Sequence, residues 1–275
     1  MSGALEFTIL GSGSSGGVPR ADGNWGDCDP SDPRNHRSRC SLLVRRPSPA
    51  GPLHETTLII DTSPDLRLQT ARAGVRRMDA ALFTHDHADQ AHGIDDLRPF
   101  FLNQRARIPT YMDQATYDGL TQRFTYIFVS QGGYPAICEP RLIPPLGVDF
   151  TIEGPSGDIA VQTFDVDHGE VRAVGYRIGG VAYTPDARAI PEESWAALQD
   201  LDVWIVDALR WTPHPTHAHV DLALEWIARA RPKRAILTNM HIDLDYEQLR
   251  GELPAGVEPA FDGMSFQHQI PAENS

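Results

Sequence analysis

Several apolar segments of this chain run directly into a histidine or an aspartate. The run AALF continues as THDHADQAH, which begins at Thr84 and holds three histidines and two aspartates. Three later segments with the composition of buried strands end in His168, Asp186 and His241. Because strand ends can meet at one edge of a sheet, this pattern predicts a β-rich fold whose sheet edge collects these side chains.

Strands and helices are interspersed in both halves of the sequence. The spacing of apolar residues predicts a clear helix over 220–231, which Pro232 ends. Strands are predicted in LEFTIL, CSLLV, TTLIID, AALFTH, IAVQTFDVDH, AVGYRIGG, VAYTPD, DVWIVDAL and RAILTNMH. Further helices are predicted near 64–74, 93–103, 114–129, 191–199 and 245–252. The order indicates an α/β fold of two mixed sheets with outer helices, and in the absence of a linker we predict one domain over 1–275.

The acidic composition restricts the class of partner. The chain has 24 Lys and Arg against 37 Asp and Glu, which gives a net charge of −13. Duplex nucleic acids are not expected as ligands, because binding their phosphates requires clustered basic residues. A small anionic substrate held by a metal ion is compatible with this charge.

Features of export and membrane insertion are not found in the sequence. No apolar run approaches the length of a membrane span, and the N-terminal residues lack a basic leader followed by an apolar core. The cysteines, Cys28, Cys40 and Cys138, are few, odd in number and widely spaced, so a disulfide framework is not expected. We expect a reduced, cytoplasmic protein without membrane contact.

The segment GSGSSG at 11–16 has the glycine spacing of a dinucleotide-binding loop. Such a loop must open into a helix whose N-terminus holds the pyrophosphate. Here Gly17, Val18 and Pro19 follow, and the residues beyond them are typical of a loop. We therefore predict a glycine loop that borders an active site.

Two histidines in THDHADQAH are placed for metal binding. His85 and His87 are two residues apart, so in an extended chain both side chains project to the same side. Asp89 is expected to continue that side as the chain turns into a helix near Gly93. Two imidazoles and a carboxylate suit a divalent transition metal.

The whole pattern resembles the metallo-β-lactamase superfamily, with H-x-H-x-D, a later His, an Asp and a late His, each after a strand. The segments LGSGSSGGVP, RNHRSRCSLLV, IIDTSPDLR, GIDDLRPF and PKRAILTNMHIDLDY resemble the cyclic-phosphate phosphodiesterases of the carbon–phosphorus lyase pathway, relatives of the tRNA 3′-processing endonucleases. The resemblance covers nearly the whole chain. It implies a four-layer αβ/βα sandwich with two divalent metal ions, zinc or manganese, at the edge between its two sheets.

The resemblance also implies a ligand set. The implied ligands are His85, His87 and His168 for the first metal ion, Asp89 and His241 for the second, and Asp186 as the bridge between them. Some relatives carry a structural zinc built from cysteines near the N-terminal glycine loop. The spacing of Cys28 and Cys40 does not fit such a site, so we expect no structural zinc, and we predict that Cys40 and Cys138 are small buried hydrophobic residues.

Gln90 departs from the family motif, which runs H-x-H-x-D-H. The histidine at that place normally binds the second metal, whereas a glutamine amide offers only a neutral carbonyl oxygen. We expect a weaker second site, where Gln90 supports a hard ion such as Mn²⁺ or hydrogen-bonds a water molecule. His92 is an alternative ligand, although it is expected to face the start of the following helix.

A histidine before the helix at 220–231 is predicted to act on the leaving group. In relatives, a histidine six residues before an Ala-Leu pair contacts the phosphate, and His217 has that spacing to Ala223. We predict that His217 is a general acid or phosphate binder, and that Asp89 is the second catalytic residue. His219 is the alternative to His217, and Asp207 either orients this histidine or caps the following turn.

Together these features predict a metal-dependent phosphodiesterase that hydrolyses a small cyclic ribose phosphate or a nucleotide-like phosphodiester with metal-activated water. Hydrolysis of a thioester or lactone is an alternative, because the same fold hosts several chemistries. A second alternative is a nucleotide- or phosphate-binding protein that lost catalysis when Gln90 appeared. The acidic charge disfavours a role in tRNA processing, and a homodimer is compatible with the sequence.

Overall fold

The computed structural model describes residues 3–270. Within them the chain forms two compact units. The first contains residues 3–10, 41–161 and 265–270, and the second contains Gly11–Cys40 and Gln162–Met264. Each unit is therefore assembled from segments that are far apart in the sequence. That 1–275 behaves as one domain stays a prediction.

Strands are the main elements of both units. The strands of the described chain are β1 (Gly3–Gly11), β2 (Ser41–Arg46), β3 (Thr56–Ile60), β4 (Ala80–Leu82), β5 (Ile108–Met112), β6 (Cys138–Leu142), β7 (Phe150–Ile152), β8 (Ile159–His168), β9 (Val171–Ile178), β10 (Val181–Thr184), β11 (Val203–Asp207), β12 (Arg234–Thr238), β13 (Val257–Pro259) and β14 (Met264–Ile270). The helices of residues 3–270 are α1 (Leu66–Arg72), α2 (Ala88–Ala91), α3 (Arg98–Gln104), α4 (Gln114–Arg123), α5 (Thr125–Phe128), α6 (Val220–Ala230) and α7 (Tyr246–Glu252). Short 3₁₀ helices cover Pro33–Asn35, Pro52–His54, Ile94–Leu97 and Glu192–Leu198.

The strands between residues 3 and 270 form two seven-stranded mixed sheets. The first has the order β14-β1-β2-β3-β4-β5-β6, with parallel pairing from β3 to β6. The second has the order β13-β12-β11-β10-β9-β8-β7, with parallel pairing from β10 to β13 and antiparallel pairing from β7 to β10. The prediction of two mixed sheets with helices is confirmed.

The second sheet brings polar residues from separate strands to one edge. Since β10, β11 and β12 are parallel neighbours, their carboxyl ends lie at the same edge. Strand β8 is antiparallel to β9, and β9 is antiparallel to β10, so β8 also ends there. Every residue of β10 and β11 is buried, as expected of parallel strands that are covered on both faces. The residues at or just after these strand ends are His168, Asp186, Asp207, Asn239 and His241.

An apolar core supports the region around β4 in the first unit. Ile59 on β3, with Ala81 and Phe83 on and after β4, packs in one cluster with Leu97 and Leu120 from the following helical segments. All five are fully buried. Because close-packed side chains hold the end of β4, the histidines that follow it start from a fixed backbone.

The predicted helices are present with three differences. The segment 114–129 is divided at Phe124 into α4 and α5, and the segment 93–103 begins with a 3₁₀ turn before α3. The segment 191–199 forms a 3₁₀ helix over Glu192–Leu198. Trp195 and Leu198 are both buried there, and a 3₁₀ helix places residues three apart on one side, so the tighter helix buries both.

Sequence patterns gave no prediction for β5, β6, β7, β13 and β14. Four of these are the edge strands of the two sheets, and β5 is the neighbour of one edge. Edge strands expose more of their side chains, so they lack the apolar pattern that identifies a buried strand. Strand β6, for example, carries Pro140 and is buried only at Cys138.

The glycine loop after β1 is irregular, as predicted. The next helical segment is the 3₁₀ helix Pro33–Asn35, so no helix opens at the glycines. Gly13 forms β-bridges to both Arg39 and Met240, and a Cβ at Gly13 would lie 2.9 Å from the backbone oxygen of Arg37. Glycine is therefore required here because three chain segments approach closely, which is a different reason from nucleotide binding.

None of the helices within residues 3–270 combines the length and the apolar character that are needed to cross a membrane.

Candidate functional site

His85 and His87 follow the carboxyl end of β4 in the first unit. Their ring centroids are 4.5 Å apart, and the rings meet edge to face at 76°. His85 is fully buried and His87 is half-buried. His87 has an extended backbone, with φ −63° and ψ 153°. The two side chains therefore project to the same side, as predicted.

A buried acid holds His85 through a threonine. The hydroxyl of Thr84 lies 2.9 Å from Oδ2 of Asp61 and 3.0 Å from Nδ1 of His85. When Asp61 is ionised, it accepts the single hydroxyl hydrogen, so the hydroxyl oxygen accepts the Nδ1–H of His85. Burial raises the pKa of Asp61 well above its ordinary value, and the hydrogen bonds from Thr84 oppose this effect. This chain of contacts orients the His85 ring.

Asp89 lies on a short helix that the sequence did not predict. Helix α2 starts at Ala88, with His87 as its N-cap, and precedes the helical segment predicted to begin near Gly93. The extended-chain argument for Asp89 is therefore wrong, because Asp89 occupies the first helical turn. The helix is only one turn long. A Cβ at Gly93 would lie 1.9 Å from the backbone oxygen of Ser63, so the chain must pass close to that segment after α2.

Gln90 and His92 occupy different environments. Gln90 is fully buried on α2, whereas Asp89 is half-buried. His92 is the exposed C-cap residue, and its ring packs edge to face on Phe124 at 5.2 Å between centroids. A substitution at Gln90 must therefore fit a packed space, whereas one at His92 need not.

His168, Asp186 and His217 form one cluster in the second unit. One nitrogen from each imidazole and one carboxylate oxygen all lie within 4.8 Å of one another. His168 and Asp186 are buried, and His217 is half-buried. The Nδ1–H of His168 donates to the backbone oxygen of Thr216 at 2.8 Å, so Nε2 carries the lone pair of this imidazole. Two imidazoles and a carboxylate at these separations can hold a divalent cation.

Asp207 lies behind His217 and is fully buried. Its Oδ2 accepts the Nδ1–H of His217 at 2.9 Å and the backbone N–H of Ala187 at 3.0 Å. The amide of Asn239 donates to Oδ1 at 3.1 Å. Burial raises the pKa of Asp207, and the charge and hydrogen bond of His217 lower it. Of the two roles considered for Asp207, this geometry corresponds to orienting the histidine.

His241 has a separate pair of contacts. Its Nδ1–H donates to Oδ1 of Asp243 at 3.0 Å, and the guanidinium of Arg20 donates to Nε2. In the described residues His241 is not among the three members of the His168 cluster. The contact with Arg20 shows that Nε2 of His241 is an acceptor directed at a cation, which is what a metal ligand requires.

His219 and His214 flank His217 in the sequence. His219 is the half-buried N-cap of α6, and its side chain makes no capping hydrogen bond. The His214 ring centroid is 5.1 Å from that of His217, and burial lowers the pKa of His214. Of these three histidines, the structure places His217 in the cluster with His168 and Asp186.

Four predicted site histidines share one arrangement, in which Nδ1 faces an oxygen atom of the protein. The pairs are His85 with Thr84, His168 with Thr216, His217 with Asp207, and His241 with Asp243. Metal-binding histidines are usually oriented in this way, because the bond at one nitrogen directs the other toward the metal. The donor sets of both units therefore fit divalent metal ions.

Sequence reasoning missed three residues that the site uses. Asp61 supports His85 through Thr84, and Arg20 contacts His241. Asn239 donates to Asp207 and, at 3.3 Å, to Oδ1 of Asp186, so one amide joins two carboxylates. Asn239 has a positive φ of 62°, a conformation that asparagine adopts more readily than most residues. In the sequence, the signal that could have identified Asn239 is an asparagine directly after an apolar strand.

The three cysteines are buried thiols in the described chain. Cys40 and Cys138 are fully buried, as predicted. Cys28 lies in a small apolar cluster with Val18 and Ile242, and burial raises the pKa of its thiol. A raised pKa disfavours the thiolate, so Cys28 is a poor nucleophile.

Residues 56–242 match the family described as the β-lactamase superfamily domain. This range begins at β3, ends four residues after β12, and contains all six predicted metal ligands from His85 to His241.

A curated relative is the octanoyltransferase of Porphyromonas gingivalis (strain ATCC BAA-308 / W83). The two sequences are 30% identical over 268 residues, which is 94% of this chain and 51% of the relative. The chain thus spans about half the length of the curated relative that it matches.

Two solved structures are similar over nearly the full chain. A diphosphatase of the PhnP family is 33% identical, with a TM-score of 0.85 over 98% of this chain and 99% of that protein. Zn²⁺-bound PqqB from Methylobacterium extorquens is 19% identical, with a TM-score of 0.71 over 95% of this chain and 99% of that protein. The second similarity concerns the fold alone.

Proposed function

Since the chain belongs to the metallo-β-lactamase superfamily, we propose that it is a metal-dependent phosphodiesterase. Its substrate is a small cyclic phosphate or a nucleotide-like phosphodiester. The observation that carries this proposal is the cluster of His168, Asp186 and His217, backed by the buried Asp207. One sheet edge thereby offers both ligands for a cation and a histidine that is oriented to transfer a proton.

The proposed metal ligands combine imidazoles and carboxylates. They are His85, His87 and His168 for the tighter site, Asp89 and His241 for the second, and Asp186 as the bridge. The orientation of His85, His168 and His241 by bonds at Nδ1 supports this assignment. Gln90 stands where the family motif has a histidine, which is a stronger ligand. The second site should therefore favour an oxygen-preferring ion such as Mn²⁺.

Bound divalent ions would activate a water molecule and polarise the phosphoryl group. The side chains of the protein would transfer protons to the leaving oxygen and from the attacking water. His217 donates a proton to the leaving oxygen, and Asp207 stabilises the protonated imidazole and fixes its orientation. Asp89 is the second proposed catalytic residue, as a carboxylate that can accept a proton from the attacking water. His219 is the alternative proton donor.

The proposed class of substrate is supported by the charge of the chain and by one similar solved structure. A chain with a net charge of −13 is suited to a small anionic ester and not to a nucleic acid duplex. The similar structure at 33% identity is named a diphosphatase of the PhnP family, and a diphosphate is a phosphorylated compound. Both points support a small phosphorylated substrate.

Metal analysis combined with a substrate screen tests the proposal. The purified protein is expected to contain a divalent metal and to hydrolyse bis(p-nitrophenyl) phosphate and a 2′,3′-cyclic nucleotide with Mn²⁺, Zn²⁺ or Ni²⁺. A His54→Ala variant is a matched control, because His54 is an exposed histidine outside the site. Absence of phosphodiester turnover with every metal, in a folded protein, would overturn the proposal.

Two alternative outcomes are distinguishable in the same screen. The name of the Porphyromonas gingivalis relative involves acyl transfer, so a glutathione thioester is included, and faster turnover of that substrate would indicate an acyl hydrolase. Tight binding of phosphate product without turnover would indicate a binding protein.

A further inference from the structure

Asn239 lies beside two acids of the second unit that have different proposed roles. It directly follows β12, and only 1% of its surface is exposed. Its side-chain nitrogen lies 3.1 Å from Oδ1 of Asp207 and 3.3 Å from Oδ1 of Asp186. Both carboxylates are themselves buried. A single amide therefore reaches the proposed metal bridge, Asp186, and the acid that orients the proposed proton donor, Asp207.

The neighbours of Asn239 determine which way its amide points. An ionised carboxylate only accepts hydrogen bonds, so the atom that faces Asp186 and Asp207 must be the amide nitrogen. The carbonyl oxygen of the amide lies 4.0 Å from Sγ of the buried Cys40, and a thiol is a weak donor. The amide nitrogen carries two hydrogens, which allows one hydrogen bond to each carboxylate.

His217 lies within reach of both acids. Its Nδ1 is 2.9 Å from Oδ2 of Asp207 and 3.6 Å from Oδ1 of Asp186. Only the shorter distance is that of a direct hydrogen bond, and the one Nδ1–H cannot serve both carboxylates fully. The amide nitrogen of Asn239 is 3.2 Å from the same Nδ1. Since both nitrogens carry hydrogens, they do not bond to each other, and both donate to the same pair of acids.

The two acids therefore compete for the Nδ1–H of His217, and Asn239 biases the competition. Its N–H donates to Oδ1 of Asp186, the same oxygen that His217 approaches at 3.6 Å. A buried carboxylate oxygen requires hydrogen-bond donors, so an oxygen that loses one becomes a stronger acceptor for the next nearest donor. Removal of the amide would therefore draw the His217 ring toward Asp186.

We propose that Asn239 is a positioning residue that selects Asp207, and not Asp186, as the hydrogen-bond partner of His217. Asp186 is thereby kept for the metal ions, and Asp207 for the proton donor. The roles of the two acids rest on the proposed function, whereas the choice of partner is a property of the fold. The same amide orients the carboxylate of Asp186, so one residue aligns the proposed metal bridge with the proposed proton donor.

The Asn239→Gly variant removes the amide without straining the backbone. Asn239 has a φ of 62°, a conformation that glycine adopts readily. Asp200→Gly is the matched control, because Asp200 has a φ of 53° in the same unit and is exposed. Asn239→Asp is the second variant, for use where the glycine variant does not fold. It keeps the size of the side chain and the tolerance for positive φ but loses the paired N–H donors.

A crystal structure of the metal-depleted variant tests the choice of partner independently of catalysis. In Asn239→Gly, we expect Nδ1 of His217 to lie closer to Asp186 than to Asp207, which reverses the order of the two distances. The Asp200→Gly control should keep the wild-type order. If Nδ1 of His217 still lies closer to Asp207 in the variant without the amide, the inference is overturned, whatever reaction the protein catalyses.

Kinetics test the consequence for catalysis. We expect Asn239→Gly to lose about ten- to a hundredfold more in kcat on an alkyl phosphodiester than on bis(p-nitrophenyl) phosphate, because only the alkyl leaving group needs the proton from His217. Partial unfolding lowers both rates by the same factor, so a merely structural role of Asn239 would not change their ratio. Equal losses on both esters would overturn the inference while the phosphodiesterase proposal stands. If wild type hydrolyses neither ester, the proposed function fails, and the crystal structure still decides whether Asn239 selects Asp207.

Discussion

The Nδ1 atom of His217 lies 2.9 Å from Oδ2 of Asp207, a carboxylate that is fully buried. Asp207 is held in turn by the backbone of Ala187 and the amide of Asn239. The histidine therefore has a fixed tautomer and a fixed direction. Its position in the cluster with His168 and Asp186 is compatible with a role as proton donor or as metal ligand, and these roles predict different results.

Replacement of His217 separates these two roles. We expect His217→Ala to keep its metal ions and to lose about a hundred- to ten-thousandfold in kcat on an alkyl phosphodiester, whose leaving group needs a proton. The loss on a p-nitrophenyl ester should be smaller. Metal analysis and kinetics on both esters provide the measurement. Loss of metal would make His217 a ligand, and an unchanged kcat beside a large loss in His219→Ala would move the proton donor to His219.

His87 is predicted to be a ligand of the tighter metal site. His87→Ala should abolish activity and remove at least one metal ion, because the proposed site would lose one of its three imidazole ligands. Metal content is measured together with circular dichroism to verify folding. His92→Ala is the control, since His92 lies on the same segment but is exposed and packs on Phe124. Full metal content in folded His87→Ala would refute the assignment.

Gln90 is predicted to weaken the second metal site without ending catalysis. Gln90→His should bind the second metal ion about ten- to a hundredfold more tightly, because an imidazole replaces a neutral amide. Calorimetric titration with Mn²⁺ and Zn²⁺ measures both affinities. Gln114→His, at an exposed position of α4, controls for metal binding by a histidine added elsewhere. If wild type and Gln90→His bind two equivalents with the same affinity, Gln90 does not limit the site.

Asp262 makes stability depend on pH. Burial raises the pKa of Asp262 to about 6 from an ordinary value of 3.8, although hydrogen bonds from Ser38 and Ser12 oppose this. The folded protein therefore binds this proton more tightly than the unfolded chain does. The contribution of Asp262 to the free energy of unfolding falls as the pH rises from about 4 to about 6, by on the order of 3 kcal/mol.

The Asp262→Asn variant isolates this effect. Relative to wild type, its free energy of unfolding should rise by on the order of 3 kcal/mol between pH 4 and pH 7, because asparagine does not ionise. The amide nitrogen cannot accept the two hydrogen bonds that one carboxylate oxygen takes from a serine, which adds an offset at both pH values. Urea denaturation at each pH gives the difference, with Asp22→Asn, on an exposed loop, as the control. A pH-independent difference between Asp262→Asn and wild type would show that burial does not shift this carboxyl.

The sequence alone determined the family, the fold and the strand ends. The family resemblance and the predicted sandwich fold are confirmed by the match over residues 56–242 and by the similarity to the PhnP-family diphosphatase. Every strand predicted from an apolar run is present, because burial on one or both faces of a sheet leaves an alternating or a continuous apolar pattern. His85 and His87 project to one side because the period of an extended chain is two residues. These features depend on short-range patterns, which a sequence displays directly.

Only the tertiary structure decided which partners each site residue has. Asp61 bonds Thr84, which holds His85, across 23 positions, and Arg20 contacts His241 across 221. No local pattern encodes such contacts. The start of α2 at Ala88 is another case, because the close passage of Gly93 by Ser63 determines the chain path there. The sequence identified candidate site residues. Their orientation depends on buried hydrogen bonds between distant segments, and these bonds exist only once the chain has folded.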